Sequence, residues 1–213
     1  MKRIALTYSL LSPYLFMVLY LIISYITPDY NQLRHTISRL SIGKYGYLES
    51  LNIIQFSFGL FMMIYFIRRT VQNSETLKQI SLMLSGIAMT LVLLAIVPTD
   101  PIDSFPKQLL SISPTALMHF SIVGLFILCT PLRVFPLYTA FKQDGTYKDL
   151  APITLLCGLA TFFLSILWFI FFYIGFLNDI RGLFQKCIAI IVLYWVARIM
   201  HRTAYIMVTD TRL

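Results

Sequence analysis

Six long apolar runs, almost free of charged residues, constrain the fold of this chain more than any other feature. They cover about residues 5–27, 50–67, 79–97, 114–135, 152–177 and 183–207. Each is close to the ~20 residues that a helix needs to cross the hydrocarbon core of a bilayer. The runs do not alternate as the strands of a membrane barrel do, and backbone groups in lipid must be hydrogen-bonded within the protein. We therefore predict an all-α, polytopic bundle of six transmembrane helices.

The composition fits a membrane protein and argues against several soluble classes. Of the 213 residues, 58% are hydrophobic and 12% charged, whereas soluble domains carry roughly 25% charged residues. The net charge of +8 does not indicate a nucleic-acid surface, because Lys and Arg stand singly or in pairs between the apolar runs. The three cysteines are odd in number and lack metal-ligand spacing, so no disulfide framework or zinc site is indicated. With no repeat or linker, residues 1–213 are expected to form a single integral membrane domain.

The basic residues predict the orientation of the bundle. With the N-terminus inside, the inner segments hold 11 of the 17 basic residues and the outer segments hold six. The inner residues are Lys2, Arg3, Arg68, Arg69, Lys78, Arg133, Lys142, Lys148, Arg198, Arg202 and Arg212. The outer residues are Arg34, Arg39, Lys44, Lys107, Arg181 and Lys186. Because basic residues are enriched in cytoplasmic segments, both termini are predicted to lie in the cytoplasm.

The sixth span is the weakest of the six. Lys186 opens it and Arg198 interrupts its end, which leaves a charge-free stretch only from Cys187 to Ala197. That stretch is short for a bilayer. We predict that it still spans, with Lys186 and Arg198 extending their charged groups toward the headgroups.

The predicted outer loops collect most of the side chains that carry chemistry. They supply His35, Thr36, Ser38 and Arg39 from the first loop, Asp100 and Asp103 from the second, and Asp179 and Arg181 from the third. His119 joins them from about five residues inside the fourth span, roughly 7–8 Å below its outer end. An ionisable residue within a span is a functional hypothesis by default. A neutral histidine bonded to a backbone carbonyl is the structural alternative.

The first loop has the pattern of a short amphipathic helix. Between residues 31 and 43, the apolar residues Leu33, Ile37 and Leu40 recur at helical spacing. In such a helix His35 and Ser38 would be neighbours at i and i+3. Two interpretations stay open. The segment either anchors the loop to lipid or forms a lid over a pocket.

Four short motifs together resemble the prokaryotic membrane family catalogued as domain of unknown function 998. The motifs are His35-x-x-Ser38, Pro98-x-Asp100, His119, and Gly182-Leu183-x-Gln185-Lys186. The resemblance covers about residues 8–205, although Val97 stands where that family leads us to expect phenylalanine. It implies a six-helix bundle in a prokaryotic cytoplasmic membrane and supplies no activity.

Two functions follow as hypotheses. In the first, the chain binds an anionic ligand, such as a lipid headgroup, or acts as a membrane scaffold. The ligand-binding residues would be Arg34, Arg39, Arg181 and Gln185.

The alternative is a metal-dependent, membrane-embedded hydrolase acting on lipid or lipid-linked substrates. It draws on a looser likeness to the ceramidase-like and progestin-receptor-like membrane hydrolases. Its catalytic residues would be His35, Ser38, Asp100 and His119. A metal, zinc for example, would be held by His35, Asp100 and His119 with water in the open position.

Other membrane functions find less support. No carboxylate lies within the six predicted spans, which argues against proton-coupled transport. The histidines at matched depth that a b-type haem needs are missing, and so is a glycine-rich phosphate loop.

Overall fold

A computed structural model shows six long α-helices among the residues that it describes. It describes residues 2–100, 112–174 and 178–209, without side chains for 171–174 and 178, so the predicted Asp103, Lys107 and Arg212 lie outside the described residues. The helices are α1 (Lys2–Ile26), α2 (Gly46–Thr70), α3 (Ser74–Ile96), α4 (Pro114–Gln143), α5 (Ala151–Ile174) and α6 (Arg181–Thr209). Each is long and apolar enough to cross a membrane. The prediction of an all-α, six-helix, multi-pass membrane protein is confirmed.

Most of the helices extend beyond the apolar runs that predicted them. The clearest cases are α2, predicted at 50–67, and α4, predicted at 114–135. Apolar runs mark only the part of a helix that lies in hydrocarbon, whereas the helices continue into polar residues at headgroup depth. The start of α4 is as expected. Ser113 is its N-cap, with Oγ accepting a hydrogen bond from Ala116 N at 3.1 Å, and Pro114 follows at the first helical position.

Consecutive helices pack antiparallel, and α6 returns against α1 and α2. Side chains of α2 bond to the backbone of both neighbouring helices: Asn52 Nδ2 donates to Phe16 O of α1 at 3.1 Å, and Ser57 Oγ donates to Ala88 O of α3 at 2.8 Å. Such interhelical bonds stabilise packing in lipid, where apolar contact alone gives little preference. Up-and-down packing of six helices places both termini at one end. We call the opposite end, which carries residues 30–45, 97–100 and 113, the distal end.

Glu49 corrects one inference from the sequence. The predicted second span began at residue 50, but α2 begins at Gly46, and Glu49 lies fully buried in its first turn. Its Oε2 accepts a hydrogen bond from Asn52 Nδ2 at 3.4 Å, and its Oε1 has no partner in the described part of the chain. The statement that the spans contain no carboxylate is therefore wrong, and the argument against proton-coupled transport loses that premise.

The orientation of the bundle stays a prediction, and reporter fusions test it. Fusions after Asn73 and after Asp144 are expected to report the cytoplasm, and a fusion within residues 30–47 the outside. We expect this because basic residues are in excess at the end of the bundle that carries both termini, here called the terminal end. Asn73 and Asp144 serve as paired sites, since both lie at the end that carries the termini. An outside signal at Asp144 would contradict the predicted topology.

Candidate functional site

The connection between α1 and α2 folds over the distal end and docks on the first turns of α6. Leu183 N donates to Leu33 O at 2.9 Å, and Gln185 Oε1 accepts from Ile37 N at 2.8 Å. A Cβ on Gly182 would overlap the His35 carbonyl oxygen and lie 2.9 Å from Leu33 O. The motif that opens α6 is therefore a docking surface for the loop, and glycine lets the two backbones meet.

Lys186 also holds the loop on α6. Its side chain was predicted to extend to the headgroups, and it does not. The side chain is buried, and Nζ donates to His35 O at 2.7 Å and also to Gln32 O. It also lies 5.3 Å from the centre of the Tyr30 ring, within the range of a cation–π contact. The prediction of snorkelling is wrong for Lys186, because the loop that covers α6 supplies the oxygen atoms that water would otherwise supply.

The loop itself is not the predicted amphipathic α-helix. Only Ile37–Ser41 are helical, as a 3₁₀ turn, and Leu33 is half exposed. At the start of the loop, Asn31 Oδ1 accepts hydrogen bonds from the amides of Leu33 and Arg34, as in an Asx turn. Tyr30 Oη donates to Thr36 O at 3.1 Å, and burial raises the pKa of Tyr30, so the donor proton is retained. Thr36 has an extended backbone (φ −72°, ψ 162°), so the helical bond from His35 N to Asn31 O does not continue into the 3₁₀ turn.

A small polar pocket, here named the distal pocket, brings four of the predicted residues together. It has a volume of about 30 Å³. Its lining comprises His35, Thr36, Arg39, Thr99, Asp100, Phe120 and Arg181. The convergence of the first loop, the end of α3 and the start of α6 therefore places His35, Arg39, Asp100 and Arg181 around one space.

The polar groups of the distal pocket differ in how far they are already engaged. Asp100 accepts from Ser113 N at 2.7 Å and Ser113 Oγ at 3.0 Å, so both of its oxygens hold the start of α4. His35 Nδ1 accepts from Asn31 N at 3.1 Å. Arg181 is buried, and its Nε donates to Arg34 O at 3.3 Å. By contrast, Arg39 Nη1 is buried without a hydrogen-bond partner in the part of the chain that the structure describes.

His119 lies apart from the distal pocket. It is buried in α4, and Nδ1 is 2.8 Å from Val97 O. A carbonyl oxygen can only accept, so Nδ1 carries the proton and Nε2 is an acceptor in the neutral ring. Nε2 has no hydrogen-bond partner among residues 2–100, 112–174 and 178–209.

A second and larger space, here named the inner cavity, lies below the loop between α1, α2, α3, α4 and α6. Its volume is about 130 Å³. Its polar lining residues are Ser38, Ser41, His119 and Gln185, and the other fourteen are apolar. Ser38 and Gln185 therefore border this cavity, while His35 borders the distal pocket.

The predicted metal ligands are not brought together. Among the described residues, no group of three His, Cys, Asp or Glu side chains lies close enough to hold a metal ion. Asp100 is bonded to Ser113, and His119 belongs to the inner cavity. The hydrolase hypothesis stays a prediction without a structural observation in its favour.

Sequence reasoning missed several residues that build this end of the protein. Tyr30 and Gln32 hold the loop to Lys186 and to α1, where Gln32 Nε2 donates to Ser24 Oγ at 2.6 Å. Thr99 and Phe120 line the distal pocket. No local motif marks these residues, although the clustering of Tyr30, Asn31 and Gln32 directly after the first span was a visible signal for an ordered loop.

Comparison with known proteins gives a family and no activity. The family model described as "Protein of unknown function (DUF998)" matches residues 10–201. Searches of curated proteins and of solved structures found no match. The match covers most of the chain and reaches into all six helices. The chain therefore belongs to the DUF998 family of proteins of unknown function.

Proposed function

We propose that this membrane protein binds an anionic group, the phosphate of a lipid headgroup, in the distal pocket. The observation that carries the proposal is Arg39, whose Nη1 is buried without a hydrogen-bond partner in the described residues. A buried guanidinium nitrogen that lacks an acceptor costs free energy. A phosphate oxygen supplies a charged acceptor that matches the geometry of arginine.

The charges of the distal pocket favour an anion over a cation. Arg39 and Arg181 line it together with one carboxylate, that of Asp100, and Asp100 is already engaged by Ser113. The formal charge of the residues that line the distal pocket is therefore positive. Thr36 and Thr99 add hydroxyl groups to the lining and are able to donate to a phosphate oxygen.

The size and position of the pocket favour a headgroup. About 30 Å³ admits roughly two water molecules, since ~10–15 Å³ by this measure admits one. The pocket therefore has room for one or two oxygen atoms of a phosphate, with the rest of the headgroup at its mouth, and none for an acyl chain. It lies at an end of the bundle, at headgroup depth for a helix that crosses the bilayer. Under the predicted topology this is the extracytoplasmic leaflet.

The test compares lipid binding by the wild-type protein and Arg39→Gln. The purified protein in neutral detergent is titrated with phosphatidylglycerol, and binding is read from the rise in melting temperature. Arg39→Gln is expected to weaken binding at least about tenfold, because one charged hydrogen bond contributes about 1.5–3 kcal/mol and 1.4 kcal/mol is tenfold in affinity.

Two controls make this result specific. Arg68→Gln removes the same charge from an exposed position at the terminal end and is expected to bind like the wild type. Phosphatidylcholine tests the need for net negative charge, and inorganic phosphate separates a free anion from a headgroup. Equal binding by Arg39→Gln and Arg68→Gln would refute the proposal. Stabilisation by phosphate alone would assign the pocket to a free anion.

A further inference from the structure

The inner cavity has features that the distal pocket lacks. No Lys, Arg, Asp or Glu lines it, and its walls are mainly aliphatic and aromatic side chains from five helices. A charged ligand would meet no opposite charge there, and burying an unpaired charge is costly. The occupant of this cavity must therefore be neutral and largely apolar.

The hydrogen bonds around the cavity indicate which polar group such an occupant carries. Ser41 Oγ donates to Ser38 O at 2.7 Å, and Gln185 Oε1 accepts from Ile37 N. Both side chains are therefore already hydrogen-bonded to the backbone of the first loop. His119 Nδ1 donates to Val97 O. Nε2 of His119 is thus a buried acceptor without a donor in the described part of the chain. A ligand that satisfies it must donate a hydrogen bond, as a hydroxyl group does and an ester or ether oxygen does not.

The volume limits how much of a molecule can enter. An apolar cavity of about 150 Å³ holds one benzene molecule. The 130 Å³ here therefore accommodates about six carbon atoms. Its lining runs from Gln185 to Leu193 along α6, about 12 Å of helix, so it is elongated enough for a chain.

We propose that the inner cavity is a binding site for an aliphatic alcohol or the hydroxyl end of a chain, with the hydroxyl donating to His119 Nε2. This site is separate from the distal pocket and does not depend on the binding of an anion. Small ligand sites are commonly of this kind, mostly apolar with one or two polar groups that orient the ligand.

The experiment uses a photoreactive hexanol that carries a diazirine on its chain. Purified full-length protein is irradiated with this probe, and labelled residues are mapped by mass spectrometry. Labels are expected on residues that line the cavity, such as Val123 and Ile188. Unlabelled 1-hexanol is expected to compete at least fivefold better than 1-chlorohexane, which has a similar shape and no hydroxyl.

Two variants separate the polar contact from the cavity itself. In His119→Asn, the side-chain amide can still donate to Val97 O while the Nε2 acceptor is lost, and labelling is expected to fall about tenfold. Ala189→Leu fills part of the cavity, and labelling is expected to disappear while the melting temperature holds or rises.

The outcomes distinguish this site from the distal pocket. Arg39→Gln should label like the wild type, and His119→Asn should keep its response to phosphatidylglycerol. Equal competition by hexanol and chlorohexane would overturn the proposed hydroxyl contact. Labels confined to lipid-facing residues, or unchanged by Ala189→Leu, would overturn the cavity as a binding site.

Discussion

Replacing Gly182 with alanine is expected to lower the melting temperature of the purified protein by roughly 6 °C. The new Cβ would overlap the His35 carbonyl oxygen and crowd Leu33 O, and both are backbone atoms that cannot rotate away. The loop must therefore shift as a whole. That shift would also disturb the bonds from Leu183 N to Leu33 O and from Lys186 Nζ to His35 O. Overpacking costs about 1–3 kcal/mol, and in a chain of this size each kcal/mol is worth roughly 2–4 °C.

The matched control for this change is Gly86→Ala. Gly86 lies in α3, and a Cβ there would meet nothing within 4 Å. Alanine has a helix propensity up to about 1 kcal/mol better than glycine, so this variant should melt at the wild-type temperature or above. Melting followed by circular dichroism in one detergent compares the two. If Gly182→Ala melts together with Gly86→Ala, the close approach of loop and helix is not a constraint.

The bundle was predictable from sequence because hydrophobicity in lipid is a local signal. A run of about 20 apolar residues has few alternatives to a transmembrane helix, and each of the six runs became one. The helix ends were less predictable. Glu49 was placed outside its span because a charge usually ends an apolar run, whereas the folded protein buries it beside Asn52.

The distal end was only partly predictable, because its arrangement depends on tertiary contacts. Grouping Arg39, Asp100 and Arg181 at one end needed only the order of the spans, and the structure places them around one pocket. Whether His119 belongs to the same group depends on which way α4 is rotated, and the sequence does not fix that rotation. The loop showed helical spacing, yet the extended backbone of Thr36 interrupts the helix before the 3₁₀ turn.

Lys186→Met is expected to destabilise the protein by about 3 kcal/mol and to release the first loop. Methionine is unbranched like lysine and one atom shorter, but it cannot donate to Gln32 O and His35 O. Hydrogen bonds from a charged donor contribute about 1.5–3 kcal/mol each, and the desolvation of the ammonium offsets part of that. Tyr30 Oη lies 3.3 Å from His35 O and 3.1 Å from Thr36 O and has one proton to share between them, so Gln32 O and His35 O both depend on Lys186.

Limited trypsin digestion tests this release directly, because trypsin cleaves after Arg34 and Arg39 in the docked loop. Faster cleavage at these two sites, together with a lower melting temperature, is the expected result. Lys142→Met, at an exposed position near the end of α4, removes the same charge and should leave both measurements unchanged. Replacing a buried charge by an apolar residue can also be neutral when its partners find other donors. Wild-type cleavage and melting in Lys186→Met would therefore show that the ammonium does not hold the loop to α6.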